Sequence, residues 1–405
     1  MSEQSDWDDL DAEEASDEDQ VQAEDVDSAV VTDTDWTTET ILSQLRRGNI
    51  QLNPRFQRRD AWDKPRKSRF IESLLLGLPI PQIVLAEDKN QRGRFIVLDG
   101  KQRLLALRQF AANSSLGAND ESVKFTTLAL TGLDVRADLR RLTLQKLEDD
   151  PDRIEDLNSF LNQTIRTVVV RRWPSEQFLQ LVFLRLNTGS VRLSPQELRQ
   201  ALHPGPFTDF LDDVSTASSW LQKALRIKNP DFRMRDVEVM LRFFGLHFRI
   251  NQYTGNLKRF LDDTTNELNQ AWEDEEGTIR DAGKSCDLAI DTTFSIFEEN
   301  SFYRWSPDGY EGRFNRAVFD IMTFYFSQER IRQAVTGRET EVKEAFEDIC
   351  GTDHQFVESI QTTTKTPEAT HRRLEKWGSK LSSVLNIPID TPNLVNNRLV
   401  MRRSS

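Results

Sequence analysis

Residues 95–110, FIVLDGKQRLLALRQF, pass from strand to helix across a two-residue turn, and this junction constrains what folds around it. Phe95, Ile96, Val97 and Leu98 form an apolar run of the kind found in a buried strand. Asp99-Gly100 reads as a tight turn. From Lys101 the leucines recur at helical spacing, so a helix starts where the strand delivers its C-terminal end. The first N–H groups of a helix have no intrahelical partner and its dipole is positive there, which favours an anion. Gly100 lets the backbone come close to such an anion, and Lys101 and Arg103 add two cationic donors. Asp99 falls at the expected N-cap. It either caps the helix through its carboxylate or, beside a bound nucleotide, holds Mg²⁺ or orients a water. As a bare pattern D-G-x-Q-R is short, and capping alone and phosphate binding both remain open.

The surrounding elements follow from period and punctuation. TTETILSQLRRG reads as a short helix stopped by Gly48, with ordered structure starting near Trp36. PRKSRFIESLLLG (65–77) reads as an amphipathic helix with Pro65 in its first turn, followed by the strand QIVLA. KFTTLAL reads as a further strand, RIEDLNSFLNQ as a helix and TIRTVVVRRW (164–173) as a β-branched strand. PSEQFLQLVFLRLN reads as a helix that runs out at Asn187-Thr188-Gly189. Ser194-Pro195-Gln196-Glu197 is a capping box that opens another helix. Beyond about residue 205 strand patterns give way to helical ones. The expectation is an α+β chain, with an α/β N-terminal domain followed by an all-helical C-terminal domain.

Charge divides the chain differently. The overall charge of −13 conceals sixteen acidic and no basic residues in positions 1–40. Between Arg46 and Arg69 nine basic residues face only Asp60 and Asp63. Residues 1–36 are expected to form a disordered acidic tail, because so few large apolar side chains cannot offset its ordering entropy. The tail either solubilises the chain or competes with nucleic acid for the basic segment. No apolar run approaches the ~20 residues of a membrane span. The N-terminus lacks the basic-then-apolar pattern of a signal peptide, and Cys286 and Cys350 match no metal or disulfide spacing, so a reducing cytoplasm fits best.

Further polar clusters accompany the central junction. NPRFQRRDAW supplies Arg55, Gln57, Arg58, Arg59, Asp60 and Trp62, an exposed basic face unless Arg58 converges on the same anion. FLRLNTGSVRLSPQE supplies Asn187, Thr188, Gly189 and Glu197, which locally read as a helix stop and a capping box.

FQRRDAW, a helix ending in GLPIP, LDGKQRLLAL and FLRLNTGSVRLSPQEL, in that order, resemble the GmrS-type branch of the ParB/sulfiredoxin-like superfamily. That branch is named for the N-terminal portion of GmrSD, a modification-dependent restriction enzyme, and is related to domains of the defence proteins SspE and BrxU. The resemblance spans roughly residues 38–260. It implies that the 37–205 domain is ParB-like and nucleotide-binding, beside the helical domain read over 206–405, and that the protein binds and hydrolyses NTP and acts on or senses DNA in prokaryotic anti-phage or restriction defence. Carried onto this sequence, Asp99, Arg103 and Arg58 would be catalytic, with Asp99 also the Mg²⁺ ligand. Gly100, Lys101, Gln102, Gln57, Asn187 and Gly189 would bind nucleotide. Lys101 stands where the family motif usually has Gln, which keeps phosphate attraction, loses an acceptor and leaves nucleotide preference open.

A non-catalytic nucleotide- or DNA-binding switch is the alternative, and a metal-dependent nuclease the last. Complete enzymes of this type resemble fusions to an HNH-like nuclease. His203 precedes Pro204 in a loop, His247 lies in an apolar helical stretch, and His354 and His371 have no metal partners at recognisable spacing, so the chain is not expected to cut DNA by itself, and a separate nuclease partner stays open.

Overall fold

The computed structural model describes residues 29–50, 52, 59–89, 91–117, 125–176, 178–179, 182, 194–361 and 364–401, and the described chain divides into two units between Leu202 and His203. The N-terminal unit contains β1 (Val30–Thr37), α1 (Thr38–Arg46), α2 (Lys64–Leu75), β2 (Ile83–Glu87), β3 (Phe95–Asp99) and α3 (Lys101–Phe110). It continues through α4 (Leu144–Asp149), α5 (Ile154–Asn162), β4 (Thr164–Arg171) and α6 (Pro195–Leu202).

Its strands form one sheet in the order β1-β4-β2-β3. β2 and β3 pair antiparallel, as do β1 and β4, while β2 and β4 run parallel with Ile83 opposite Thr167. Successive strand side chains point to opposite faces. Thus Ile83, Leu85, Phe95, Val97, Ile165 and Val169 enter one core with Ile71, Leu74, Leu104, Leu107 and Phe160 from the helices. Val84, Ala86, Ile96, Leu98 and Val170 enter a second core with Trp173 and Leu198 of α6. A sheet covered on both faces needs unbroken apolar strands, which explains IVLA and FIVL. α2 starts as its sequence requires: Asp63 Oδ1 accepts the Arg66 N–H at 2.8 Å, and Pro65 occupies the first turn.

Two expectations for this unit are corrected. Ordered structure does not wait for Trp36, because Val30–Thr37 is an edge strand within the segment expected to be tail. Its aspartates suit that position: Asp33 pairs with Arg166 across the ladder at 2.5 Å. Residues 1–28 of the expected tail lie outside the described residues. The described part of KFTTLAL is not a strand. Leu128 N–H donates to Gln109 O at 2.9 Å and Leu130 N–H to Leu142 O at 3.0 Å, so its backbone bonds go to a helix end and a loop. Its alternating leucines are buried all the same.

The C-terminal unit contains α7 (Pro206–Ala217), α8 (Ser219–Ala224), α9 (Arg235–Arg249), α10 (Leu257–Gln270) and α11 (Trp272–Phe297). α12 (Arg316–Phe326), α13 (Glu329–Val335), α14 (Glu339–Thr352), α15 (His354–Gln361) and α16 (Pro367–Leu385) follow. Inside it, Asp320 of α12 takes Arg242 of α9 at 2.6 Å and Arg373 of α16 at 3.3 Å, all three buried. The all-helical expectation is corrected here by two hairpins, β5 (Tyr303–Ser306) with β6 (Gly309–Phe314) and β7 (Asn393–Val395) with β8 (Arg398–Val400). Each turns on residues suited to positive φ: Gly309 at 112°, and Asn396 and Asn397 at 49° and 59°.

Candidate functional site

β3 hands the chain to α3 through Gly100, which adopts φ 97° and is the N-cap of the helix. Because Gly100 has no side chain, the helix start has no side-chain cap. This corrects the assignment of Asp99 as the cap. Asp99 ends β3, and its Oδ2 accepts Arg103 Nη2 at 2.7 Å. Arg103 Nη2 also donates to Gln82 O at 3.0 Å, which ties the guanidinium to the chain entering β2. A Cβ on Gly100 would lie 3.1 Å from Ile83 Cγ1 and 3.3 Å from Arg103 Nη2.

Lys101 is the first residue of α3, and its side chain is buried at 7% exposure. Its Nζ donates to Glu197 Oε1 at 2.6 Å across 96 residues of sequence. Glu197 has a second task. Its Oε2 accepts the Ser194 N–H at 2.8 Å, while Ser194 Oγ accepts the Glu197 N–H at 3.1 Å. The capping box expected from SPQE is therefore formed reciprocally. One carboxylate joins the start of α6 to the start of α3.

The junction thus holds two ion pairs, Asp99–Arg103 and Lys101–Glu197. Neither pair carries net charge, and the first-turn N–H groups of α3 and the helix dipole add attraction for an anion. Among the described residues, two buried polar atoms at this helix start have no partner, Arg103 Nε and Gln102 Oε1. One turn beyond Glu197, Gln200 is buried, and neither of its amide atoms has a partner among the described residues. Buried polar atoms are nearly always satisfied, so this concentration is unusual.

The chain following FQRR is fixed nearby. Lys67 of α2 pairs with Asp60 Oδ2 and donates to Gln109 Oε1 at 2.8 Å, while the Trp62 N–H donates to Asp60 Oδ1 at 3.3 Å. Arg59 is 1% exposed, so at this position the basic segment is not a solvated face. Arg66 stacks its guanidinium on Trp62 at 4.9 Å.

Of the sequence-derived site residues, Asp99, Gly100, Lys101, Gln102 and Arg103 stand together at one strand–helix junction. Gln57, Arg58, Asn187 and Gly189 lie outside the described residues. Sequence reasoning had seen Glu197 as a capping residue and missed its pairing with Lys101. Gln82 and Gln200 gave no signal at all. Among the described residues no group of three or more His, Cys, Asp or Glu is placed to hold a metal ion. His247 of α9 packs against Phe243 and Phe248, with ring centroids at 5.3 and 4.7 Å.

Residues 38–204 match the family described as the GmrSD restriction endonuclease N-terminal domain. The matched region contains β2, β3, β4, α3 and α6, and with them every residue of the junction. It leaves β1 and nearly all of the C-terminal unit outside. No curated protein and no solved structure matches the chain. No helix among the described residues is long and apolar enough to cross a membrane.

Proposed function

We propose that the N-terminal unit binds the phosphates of a nucleoside triphosphate at the start of α3 and hydrolyses it in response to DNA, within a restriction-type defence system. The observation that carries this reading is the uncapped, glycine-initiated helix start with the buried, unpartnered Arg103 Nε beside it. The match to a restriction endonuclease domain supports the link to DNA. In this reading the α3 N–H groups and Arg103 hold phosphate oxygens, with Lys101 as a further cation. Asp99 orients the attacking water, and its partly exposed carboxylate would be the protein's contribution to a nucleotide-borne Mg²⁺, an ion that keeps most of its other ligands as phosphate and water. Arg58 would clamp the transferring phosphoryl group, and Gln57, Gln102, Asn187 and Gly189 would complete the contacts. Most of the rate enhancement would come from electrostatic positioning. The exposed cations of the basic run, Arg47, Lys64, Arg66 and Arg69, are the candidate DNA contact, and cleavage would fall to a separate nuclease.

A second reading, a nucleotide-operated switch without turnover, is favoured by one observation: Asp99 is already engaged by Arg103. Phosphate release from the four ribonucleoside triphosphates with Mg²⁺, with and without plain or modified DNA, separates the two. DNA-stimulated release that disappears in Arg103→Ala supports hydrolysis. Nucleotide binding without release supports the switch, and absence of both removes the phosphate site.

A further inference from the structure

The Lys101–Glu197 pair suggests how the site would respond to its ligand. The two ion pairs at the junction are intact before an anion arrives, so any cation that turns to a bound polyphosphate leaves its carboxylate behind. Arg103 is braced locally. Its Nη2 is held at once by Asp99 and Gln82 O, and the Asp99 contact is local to the helix. Lys101 reaches sideways from the first position of α3 to a different helix, on a flexible stem carrying a compact charge. Glu197 has no such freedom: it is buried, and its other oxygen closes the cap of α6. Stripped of Lys101, it becomes a buried carboxylate without a counter-ion, a costly state that favours leaving the box.

We infer that Glu197 is a positioning residue for the anion site: it competes with bound phosphate for Lys101, and occupancy transfers Lys101 to the ligand and opens the α6 capping box. The inference rests on the phosphate-site reading above. It goes beyond that reading by coupling occupancy to the start of α6.

The test uses the full chain, with ATP and inorganic tripolyphosphate as probes in titration calorimetry. Removing the competitor in Glu197→Gln should tighten both probes roughly tenfold, and Lys101→Met should weaken them by a similar factor. The double variant should match Lys101→Met, because Glu197 acts only through Lys101. Ser194→Ala loosens the same cap but leaves the carboxylate; because occupancy opens that cap, it should also tighten both probes, by less than Glu197→Gln does. In the wild type, either probe should accelerate amide exchange in the first turn of α6. That measurement decides alone if Glu197→Gln fails to fold. Wild-type binding with equal affinity in Glu197→Gln, or with unchanged α6 exchange, overturns the inference and leaves the phosphate site standing. If neither probe binds any variant, the site and the inference fall together.

Discussion

Arg103 turns back along its own helix to Asp99, placing Nη2 2.7 Å from Oδ2, and with the same nitrogen holds Gln82 O at 3.0 Å. The guanidinium therefore braces the turn between β3 and α3 while its Nε stays without a partner. Arg103→Lys keeps the charge but cannot reproduce this planar grip. The expected result is a stability loss of about 1–3 kcal/mol, read by chemical denaturation, and phosphate release reduced by at least about tenfold. A lysine variant with full turnover would show that charge alone suffices.

Gly100→Ala tests the turn itself. Alanine is strained at φ 97°, and its Cβ would press on Ile83 and on Arg103. A destabilisation of about 1–3 kcal/mol is expected, together with loss of nucleotide binding as Arg103 is displaced. Unchanged melting and binding would mean that neither the backbone nor Arg103 is constrained there.

Gln200→Met should stabilise the unliganded protein by about 1 kcal/mol or more, since it replaces two unsatisfied buried polar atoms with apolar ones. Denaturation midpoints decide this directly. A less stable variant would show that the amide is already satisfied.

Glu72 is placed to contribute to acid sensitivity. Burial alone would raise its pKa, but the Arg136, Val135 and Asp134 N–H groups that it accepts hold it below the usual carboxylate value. The folded state therefore takes up this proton later than the unfolded state does. The stabilisation is fully present above the ordinary glutamate value of about 4.3, and it is lost as pH falls through the lower folded value. Glu72→Gln should lower stability at pH 7 by about 1–3 kcal/mol and flatten the acid limb of the stability–pH curve. Parallel curves for the two proteins would rule Glu72 out as the titrating group.

Truncation separates tail from sheet. Deleting residues 1–28 removes thirteen acidic residues and no basic ones but keeps β1. Stability should be unchanged and DNA binding tighter, with a stronger salt dependence. Deleting residues 1–35 also removes most of β1 and should destabilise the unit. Equal DNA binding in the full chain and the shorter deletion would assign the tail to solubility alone.

How much of this was legible in the sequence depended on whether local signals agreed. IVLA, FIVL and TIRTVVVR read as strands because both faces of the sheet are covered, and SPQE read as a capping box because the box is local chemistry. VVTDTDWT did not read as a strand. Its aspartates resemble a tail until Arg166 of β4 stands opposite them. KFTTLAL carries strand alternation, but its backbone partners are Gln109 and Leu142 rather than a neighbouring strand, a tertiary outcome that composition does not encode. Ser306-Pro307-Asp308-Gly309 and Asn396-Asn397 were turn signals lost among longer helical patterns. At the site, the junction was visible as strand, turn and helix. The pairing of Lys101 with Glu197 was not, because nothing in either motif points to the other across that separation.

The sheet has a consequence for the order in which the protein is made. β1 precedes its partner β4 in the chain by a long interval: Thr32 and Arg171, hydrogen-bonded in the finished sheet, are 139 residues apart. During synthesis β2 and β3 can meet early as a hairpin, yet an isolated two-stranded hairpin is marginal in water. The pairings of β4 with β1 and with β2 both wait for its synthesis, and closing so long a loop slows their formation. A nascent chain halted before Thr164 would already contain Asp99 through Arg103, but without the strand that joins the two halves of their sheet and without Glu197. Asp99 through Arg103 would thus be translated well before the platform that positions them exists.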